Sequence, residues 1–294
     1  AAYDARTGEE AWKFYTIPGP GEPGHETWQD DDWMYGGASA WITGSYDPDT
    51  DLVYWGIGNP GPDWNPEQRP GDNLYSDSVV ALNPDTGELE WYFQFTPNDP
   101  YDYDAVQVPV LVDYPAQDGS MLKLMLFGNR NGFFYILDRA TGRFINGEPY
   151  IDLNWAEGLD DVGRPIFTPQ PPGTTTYPGV QGGTNWYSPS YSPSTRLFYM
   201  STWEGNGSNF EAQEAEYEPG RTFLGGRPAP PVPGAALPNL ARGPINTWTE
   251  SAGTGAVKAL DPATGEERWK FPMTDVTTSG ILTTATDVLF TGGR

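Results

Sequence analysis

Two side chains that often carry chemistry are almost missing from this sequence. None of the 294 residues is a cysteine, and only His25 is a histidine. Without cysteine these residues form no disulfide and hold no thiolate nucleophile, although the redox compartment stays open. His25 lies in a stretch rich in proline and glycine, so a hydrolytic triad with a histidine base has no good candidate. The chemistry must come from carboxylates, amides and arginines.

Basic residues are also scarce. Lysine and arginine together number 16 against 40 aspartates and glutamates, which gives a formal net charge of -24. Such a surface repels phosphates and anionic lipid headgroups, so we expect no nucleic acid among the partners. A basic protein partner would fit it. No apolar run approaches the ~20 residues that span a bilayer, so we expect no membrane insertion.

Turn residues and aromatic residues are abundant. The chain has 36 glycines and 30 prolines, and its 12 tryptophans, 17 tyrosines and 13 phenylalanines supply ample core material. The length permits one large domain or two ordinary ones. Aromatic and β-branched residues between frequent turn signals predict an all-β protein.

One phrase recurs along the chain: a strand, a turn of the form Asp/Asn-x-x-Thr-Gly, and a second strand that often ends in tryptophan. The glycine supplies a positive φ, the Asp or Asn binds the turn backbone, and the tryptophan would anchor its strand against a neighbouring sheet. A β-sandwich explains such turns but not the recurring phrase, which predicts a β-propeller of four-stranded antiparallel blades. The copies are AYDARTGEEAW (2–12), ALNPDTGELEW (81–91), ILDRATGRFI (136–145) and ALDPATGEERW (259–269).

Residues 203–250 break this pattern. They are acidic at first and then rich in proline, and the repeat resumes at Gly255. A long ordered excursion of this kind often covers a site. Both ends of the sequence interrupt the repeat, so we interpret residues 1–294 as part of one larger propeller domain.

The nine residues TPNDPYDYD (96–104) hold three aspartates. Asp99, beside Pro100, is interpreted as a turn residue. Asp102 and Asp104 are two residues apart, and on an extended strand they would point the same way. Two carboxylates on one face repel, and one should lose its charge unless a cation lies between them.

Seven motifs together carry a resemblance to one family: TWQDDDWMYGGASAW (27–41), YWGIGNPGPDWN (54–65), RPGDNLYSDSVVALNPDTGELEW (69–91), TPNDPYDYD (96–104), FGNRNGFFYILDR (127–139), GGTNWYSPSYSP (182–193) and GRTFLGG (220–226). As a series they resemble the pyrroloquinoline quinone (PQQ)-dependent alcohol dehydrogenases, the quinoproteins that include methanol dehydrogenase, over nearly the whole chain. The resemblance implies an eight-bladed propeller with the cofactor on its axis, of which this chain would hold about half the blades.

The resemblance implies roles for the cofactor side of the site. Trp41 matches the tryptophan on which the PQQ ring stacks, as suits a flat quinone. Arg130 matches a cation near the quinone oxygens, where it would stabilise charge that develops on reduction. Asn185 matches a further PQQ contact.

It also implies a metal site. Asn59 matches an amide ligand, and Asp102 matches the catalytic aspartate beside both metal and substrate. Asp104 occupies a position that is small in calcium-dependent methanol dehydrogenases and an aspartate in lanthanide-dependent ones. A trivalent ion that prefers oxygen ligands needs one more anionic ligand than calcium, so the resemblance favours a lanthanide over Ca²⁺.

The implied reaction is the oxidation of a small alcohol to an aldehyde, with hydride transfer to PQQ. Asp102 would take the hydroxyl proton, and a c-type cytochrome would accept the electrons. The implied location is the periplasm, with a homodimer as a possible assembly. Departures from the family at Asn98, Tyr101 and Thr278 predict a remodelled pocket, so methanol need not be the substrate.

Two alternatives share parts of this pattern. A non-catalytic propeller of the outer-membrane assembly scaffold type has the same repeat, but it does not require the site residues as a set. An inactivated relative would keep these residues and lack a metal-binding glutamate elsewhere in the protein.

Overall fold

The computed structural model describes residues 1–116, 118–171, 174–229, 254–273 and 276–293. Strands and turns dominate these ranges, and the helical residues form three short 3-10 turns, at His25–Thr27, Asp32–Met34 and Pro66–Gln68. The prediction of an all-β chain is therefore confirmed. Within the described residues, no helix is both long and apolar enough to cross a membrane.

The N-terminal part holds a hairpin and a four-stranded antiparallel sheet, here named the first sheet. The sheet has its strands in sequence order from β3 to β6. The hairpin strands are β1 (Ala2–Tyr3) and β2 (Glu10–Trp12), and the sheet strands are β3 (Ser45–Asp47), β4 (Leu52–Gly56), β5 (Ser78–Leu82) and β6 (Leu89–Gln94).

The second sheet is again four-stranded and antiparallel, with its strands in sequence order from β7 to β10. A separate hairpin follows it. The strands are β7 (Val110–Pro115), β8 (Met121–Gly128), β9 (Phe133–Asp138), β10 (Phe144–Pro149), β11 (Ala156–Leu159) and β12 (Pro165–Phe167).

The third sheet has the strand order β13-β14-β17-β18, and a hairpin of β15 and β16 is inserted between its two central strands. The predicted excursion is this insertion, which begins after β14, and its residues 230–253 lie outside the described ranges. A separate hairpin of β19 and β20 follows the third sheet. The strands of this part are β13 (Ser190–Ser192), β14 (Leu197–Glu204), β15 (Phe210–Ala212), β16 (Gly226–Pro228), β17 (Thr254–Leu260), β18 (Glu267–Met273), β19 (Ile281–Thr283) and β20 (Leu289–Thr291).

The repeated turn has the predicted conformation and links neighbouring units. Gly87 and Gly142 have φ angles of 75° and 72°. A Cβ on Gly87 would overlap the indole of Trp12, and one on Gly142 would overlap the indole of Trp91. Trp12 Nε1 also donates to the carbonyl of Pro84, 2.8 Å away. Each tryptophan thus packs on the turn of the next sheet, as the repeat predicts.

The cores lie between successive sheets, and the second sheet contributes to two of them. On β8, Met125 and Phe127 pack in a cluster with the first sheet, whereas Leu124 and Leu126 pack in a cluster with the third sheet. Successive side chains of a strand point to opposite faces, so a strand buried on both sides is apolar throughout. The three sheets therefore stack face to face; the count of eight blades stays a prediction.

Candidate active site

Asp102 and Asp104 lie in the segment between β6 and β7. Asp102 has a φ of 63°, in the left-handed region. The expectation that both aspartates lie on an extended strand is therefore wrong. Local hydrogen bonds explain the difference, because the amides of Tyr101 and Tyr103 both donate to the carboxylate of Asp99, at 2.8 and 2.5 Å.

Asp99 itself also differs from the expectation. It is fully buried rather than a simple turn residue, and its carboxylate organises the backbone that presents Asp102. Burial raises the pKa of Asp99 to about 6, while the two donated amide bonds and the nearby arginines oppose that rise.

The two site carboxylates nevertheless converge, and the cation between them is a guanidinium. Arg130 Nη1 pairs with Asp104 Oδ2, and Nη2 lies 3.4 Å from Asp102 Oδ2. Arg130 follows β8 and is buried, and its Nη2 also donates to the carbonyl of Val180. Burial raises the pKa of Asp102 well above its usual range, Arg130 opposes this and Asp104 adds to it. The site is an ion cluster in which Arg130 and Asp104 are buried and Asp102 is partly exposed.

Asn59 lies directly beside this cluster, on the segment that follows β4. Its backbone amide donates to Asp104 Oδ1 at 2.9 Å. Gly58 next to it has no room for a side chain, because a Cβ there would overlap the same carboxylate oxygen. The predicted ligands Asn59, Asp102 and Asp104 are therefore brought to one place by two loop segments.

The segment that ends at Trp41 runs alongside Asn59. The amide of Ala38 donates to the carbonyl of Asn59 at 2.7 Å, and the amide of Gly58 donates to the carbonyl of Ser39 at 2.9 Å. Trp41 keeps 43% of its surface exposed, which is unusual for so large an apolar side chain. An indole presented in this way suits a stacking platform for a flat ring.

Asn185 lies in the loop that holds the other side of Arg130. The amide of Gly183 donates to the carbonyl of Arg130 at 3.0 Å. The Asn185 side chain is buried and is used within its own loop, where Nδ2 donates to the carbonyl of Gln181 and Oδ1 accepts the amide of Trp186. The structure thus places Asn185 near the cluster without showing a free amide for a ligand.

Four further charged side chains lie around the site, three of them buried, and the sequence analysis assigned none of them to it. Arg69 is fully buried, and burial lowers its pKa to about 10. Burial raises the pKa of Asp63 to about 6 and that of Asp77 well above its usual range. Neither carboxylate oxygen of Asp77 has a hydrogen-bond partner in the described part of the chain. With Asp99 they add three carboxylates and one guanidinium, and a further cation at this place would favour the ionised form of the carboxylates.

The donor set can be tested against the expected metal. Two carboxylates and one amide provide hard oxygen ligands of the kind that calcium and trivalent ions prefer. Among the described residues, no three His, Cys, Asp or Glu side chains form a complete metal-binding group. The residues present therefore fit part of a coordination sphere, the rest of which must come from the cofactor or from other residues.

Comparison with known proteins identifies the family. The model of the PQQ family, described as the glucose/ethanol/alcohol dehydrogenase β-propeller domain, matches residues 1–147. The quinoprotein alcohol dehydrogenase PedH of Pseudomonas putida is 37% identical over 99% of this chain and 50% of its own length. The dehydrogenase subunit of the quinone-type alcohol dehydrogenase of Gluconobacter oxydans is 42% identical over 68% of this chain and 30% of its own length.

Solved structures agree. The quinohemoprotein alcohol dehydrogenase ADHIIG from Pseudomonas putida HK5 has a TM-score of 0.84 and 33% identity, over 99% of this chain and 45% of that one. A europium-containing methanol dehydrogenase has a TM-score of 0.82 and 31% identity, over 99% of this chain and 52% of that one. The chain spans about half the length of PedH and of these two structures. With half of its residues matched by the family model, the chain belongs to the PQQ-dependent glucose/ethanol/alcohol dehydrogenase β-propeller family.

Proposed function

We propose that this chain is part of the catalytic subunit of a PQQ- and metal-dependent alcohol dehydrogenase that oxidises alcohols to aldehydes. The observation that carries the proposal is the convergence of the half-buried Asp102 with the buried Asp104 and Arg130 beside Asn59. A non-catalytic scaffold has no use for two converging carboxylates of which one is withdrawn from water, because burying such charges is unfavourable unless they are used or paired.

The proposed mechanism assigns the proton to Asp102. When bound, PQQ accepts the hydride and the metal acts as a Lewis acid. Asp102 takes the proton of the alcohol hydroxyl. Arg130 is positioned by the carbonyl of Val180 and supplies a fixed positive charge for the charge that develops on the acceptor. Trp41 supplies the face on which the cofactor ring stacks.

We propose Asn59, Asp102 and Asp104 as the metal ligands from this chain, and a lanthanide rather than Ca²⁺ as the ion. Asp104 is buried against Gly58 and the amide of Asn59, so its charge lies where a third positive charge would be compensated. The likeness to a europium-containing methanol dehydrogenase supports this choice.

The remaining parts of the proposal concern the whole protein. We place it in the periplasm as an eight-bladed propeller, in which residues 1–294 form part of the domain, with a homodimer as its assembly. Electrons would pass to a c-type cytochrome, which the net charge of -24 could attract if the cytochrome is basic. Cytochrome reduction should then slow as ionic strength rises.

The test is alcohol oxidation by the full-length protein, loaded with PQQ and either lanthanum or calcium and measured with an artificial electron acceptor. We expect activity with lanthanum only, lost in Asp104→Ala. Asp102→Asn should lower kcat by about 10²-fold or more, as expected for loss of a general base. The exposed Asp118→Ala should match the wild type and serves as the control.

The other outcomes separate the parts of the proposal. Activity with calcium only would support the proposed dehydrogenase activity but contradict the proposed role of Asp104 as a metal ligand. Failure to bind PQQ with either ion, together with no turnover, would refute the dehydrogenase and leave the scaffold.

A further inference from the structure

The Arg69 side chain joins the two loops that supply the proposed metal ligands. The first loop, residues 57–77, follows β4 and carries Asn59, and the second loop, residues 95–109, follows β6 and carries Asp102. The guanidinium is fully buried and makes four hydrogen bonds, three within the first loop and one to the second. Its acceptors are Pro62 O at 3.0 Å, Asn73 Oδ1 at 3.0 Å, Asp63 O at 3.1 Å and Asp99 O at 2.5 Å.

The backbone of Arg69 is bonded to the second loop as well. Asn98 Nδ2 donates to the carbonyl of Arg69 at 2.9 Å and to Asn73 Oδ1 at 3.1 Å. Asn73 Nδ2 donates to the same carbonyl at 3.0 Å. The two loops are therefore joined at Arg69 by several bonds rather than by one.

These bonds fix the backbone that leads into Asp102. The residue whose carbonyl accepts from Arg69 is Asp99. Its carboxylate accepts the amides of Tyr101 and Tyr103, which flank Asp102 and hold it at a φ of 63°. The conformation of Asp102 thus depends on where Asp99 lies, and Arg69 determines that position from the first loop.

The other side of Asp102 is fixed independently. Asp104 accepts the backbone amide of Asn59 at 2.9 Å and pairs with Arg130. Asp102 therefore lies between two points at which the second loop is attached, and Arg69 provides the attachment on the side away from Asp104.

The directions of the donors matter at this position as well as the charge. All four acceptors of the Arg69 side chain are neutral oxygens, and they belong to four different residues. The charge is compensated from a distance, because Asp99, Asp77 and Asp63 oppose the effect of burial on the pKa of Arg69. A planar guanidinium directs its donors along fixed lines, whereas a lysine ammonium donates from a single atom. Lysine would keep the charge here and lose part of the bonding.

We infer that Arg69 is a positioning residue of the proposed reaction, which holds the loop that carries Asp102 in a fixed position relative to the loop that carries Asn59. The inference rests on the proposed function and names the residue that keeps its proton acceptor in place. Arg69 acts through the backbone of Asp99 and needs no contact with the substrate. A displacement of about 1 Å at a reacting group can lower the rate by about 10²-fold.

The test compares Arg69→Lys with Arg139→Lys in the full-length protein. Arg139 is the matched control, because it is also buried but pairs with Asp47 and Asp113, outside both loops. The protein is loaded with PQQ and whichever metal supports turnover, and the substrate is the primary alcohol that the wild type oxidises fastest. Arg69→Lys should lower kcat by about 10²-fold and change KM by less than about threefold, whereas Arg139→Lys should keep kcat within about twofold.

Hydrogen exchange, followed by mass spectrometry on the cofactor-free full-length protein, adds a readout that needs no turnover. Arg69→Lys should speed exchange in residues 95–109 by about threefold or more, because the amides of Tyr101 and Tyr103 lose a fixed acceptor. Residues 133–149, which hold β9 and β10, should exchange as in the wild type. Arg139→Lys should leave residues 95–109 unchanged.

A milder variant keeps the test decisive if Arg69→Lys does not fold. Asn98 has a φ of 51°, which glycine adopts without strain, so Asn98→Gly removes only the amide that contacts Arg69 and Asn73. It should lower kcat by about three- to tenfold and speed exchange in the same residues.

The outcomes separate this inference from the proposed function. Wild-type kcat in a folded Arg69→Lys protein, unchanged exchange in residues 95–109 in both variants, or faster exchange spread evenly over all three sheets would overturn the positioning role and leave the dehydrogenase standing. Absence of turnover by the wild type with every alcohol would instead remove the proposed function, and the positioning role with it.

Discussion

The contact between a tryptophan of one sheet and a turn glycine of the next offers a quantitative test of how the fold is held together. The change is Gly142→Ala. Gly142 has a φ of 72°, and an added Cβ would lie 2.8 Å from Cδ2 of Trp91, well inside normal contact distance. Gly8→Ala is the matched comparison, because Gly8 has the same kind of turn and a φ of 75° but nothing within 4 Å of its Cβ position.

The expected magnitudes follow from these two geometries. A left-handed alanine costs about 1 kcal/mol, and this is the whole effect at Gly8. At Gly142 the indole of Trp91 must also move. Tryptophan buries roughly 200 Å² when fully packed, so losing about 80 Å² at ~25 cal/mol per Å² adds about 2 kcal/mol. We expect Gly142→Ala to lower the free energy of unfolding by about 3 kcal/mol, and Gly8→Ala by about 1.

The assay is denaturant unfolding of the full-length protein, followed by far-UV circular dichroism. A double-mutant cycle with Trp91→Leu isolates the steric part, since Gly142→Ala should cost only about 1 kcal/mol once the indole is gone. Equal losses for Gly8→Ala and Gly142→Ala would refute the idea that the tryptophan contact stabilises the packing of one sheet on the next.

Two further predictions concern the charges that connect the first and second sheets. Arg139 is buried, with Nε 2.6 Å from Asp47 Oδ2. Arg139→Met should therefore lower the free energy of unfolding by about 3–5 kcal/mol, because it leaves the Asp47 carboxylate without its charged partner. The exposed pair of Arg164 and Asp72 is the comparison, and Arg164→Ala should lower the free energy of unfolding by under about 1 kcal/mol in the same denaturation experiment. Burial opposes ionisation of Asp47, but the hydrogen bonds from Arg139, Asp49 and Thr50 outweigh it and lower its pKa. The stability that the ionised carboxylate contributes is present above about pH 4 and is lost as the pH falls through the lowered pKa. Thermal midpoints measured from pH 5 downward should therefore drop less steeply in Asp47→Asn than in the wild type. An identical dependence of the midpoint on pH in the two proteins would contradict a lowered pKa at Asp47.

The sequence predicted the repeating part of the fold well. The turns at Gly87 and Gly142 and the anchoring role of Trp12 and Trp91 depend on local chemistry, which the repeated phrase shows directly. The sequence showed where the excursion lies along the chain, but it did not predict which loop the excursion contacts. Gln68 and Ala215 are 147 residues apart, and no local pattern reveals a bond of that span.

The sequence predicted which residues belong to the candidate site better than it predicted how they are arranged. The sequence predicts the convergence of Asp102 and Asp104 for the wrong reason, since hydrogen bonds to Asp99 bend the backbone that the sequence predicts to be extended. Arg69 and Asp77 carried no signal, because a buried charge and an exposed one look alike in a sequence. The placements of Asn59 and Arg130 were predictable only through the family resemblance.

The insertion in the third sheet has a consequence for how the molecule is assembled. Its residue Ala215 is hydrogen-bonded to Gln68, and bringing together groups separated by 147 residues carries a large loop-closure entropy unless other contacts have already done so. The local hairpins of the first and third sheets can form early, whereas the insertion reaches Gln68 only when both sheets are in their final relation. The contact between the insertion and the loop that follows Asn59 therefore forms late in folding.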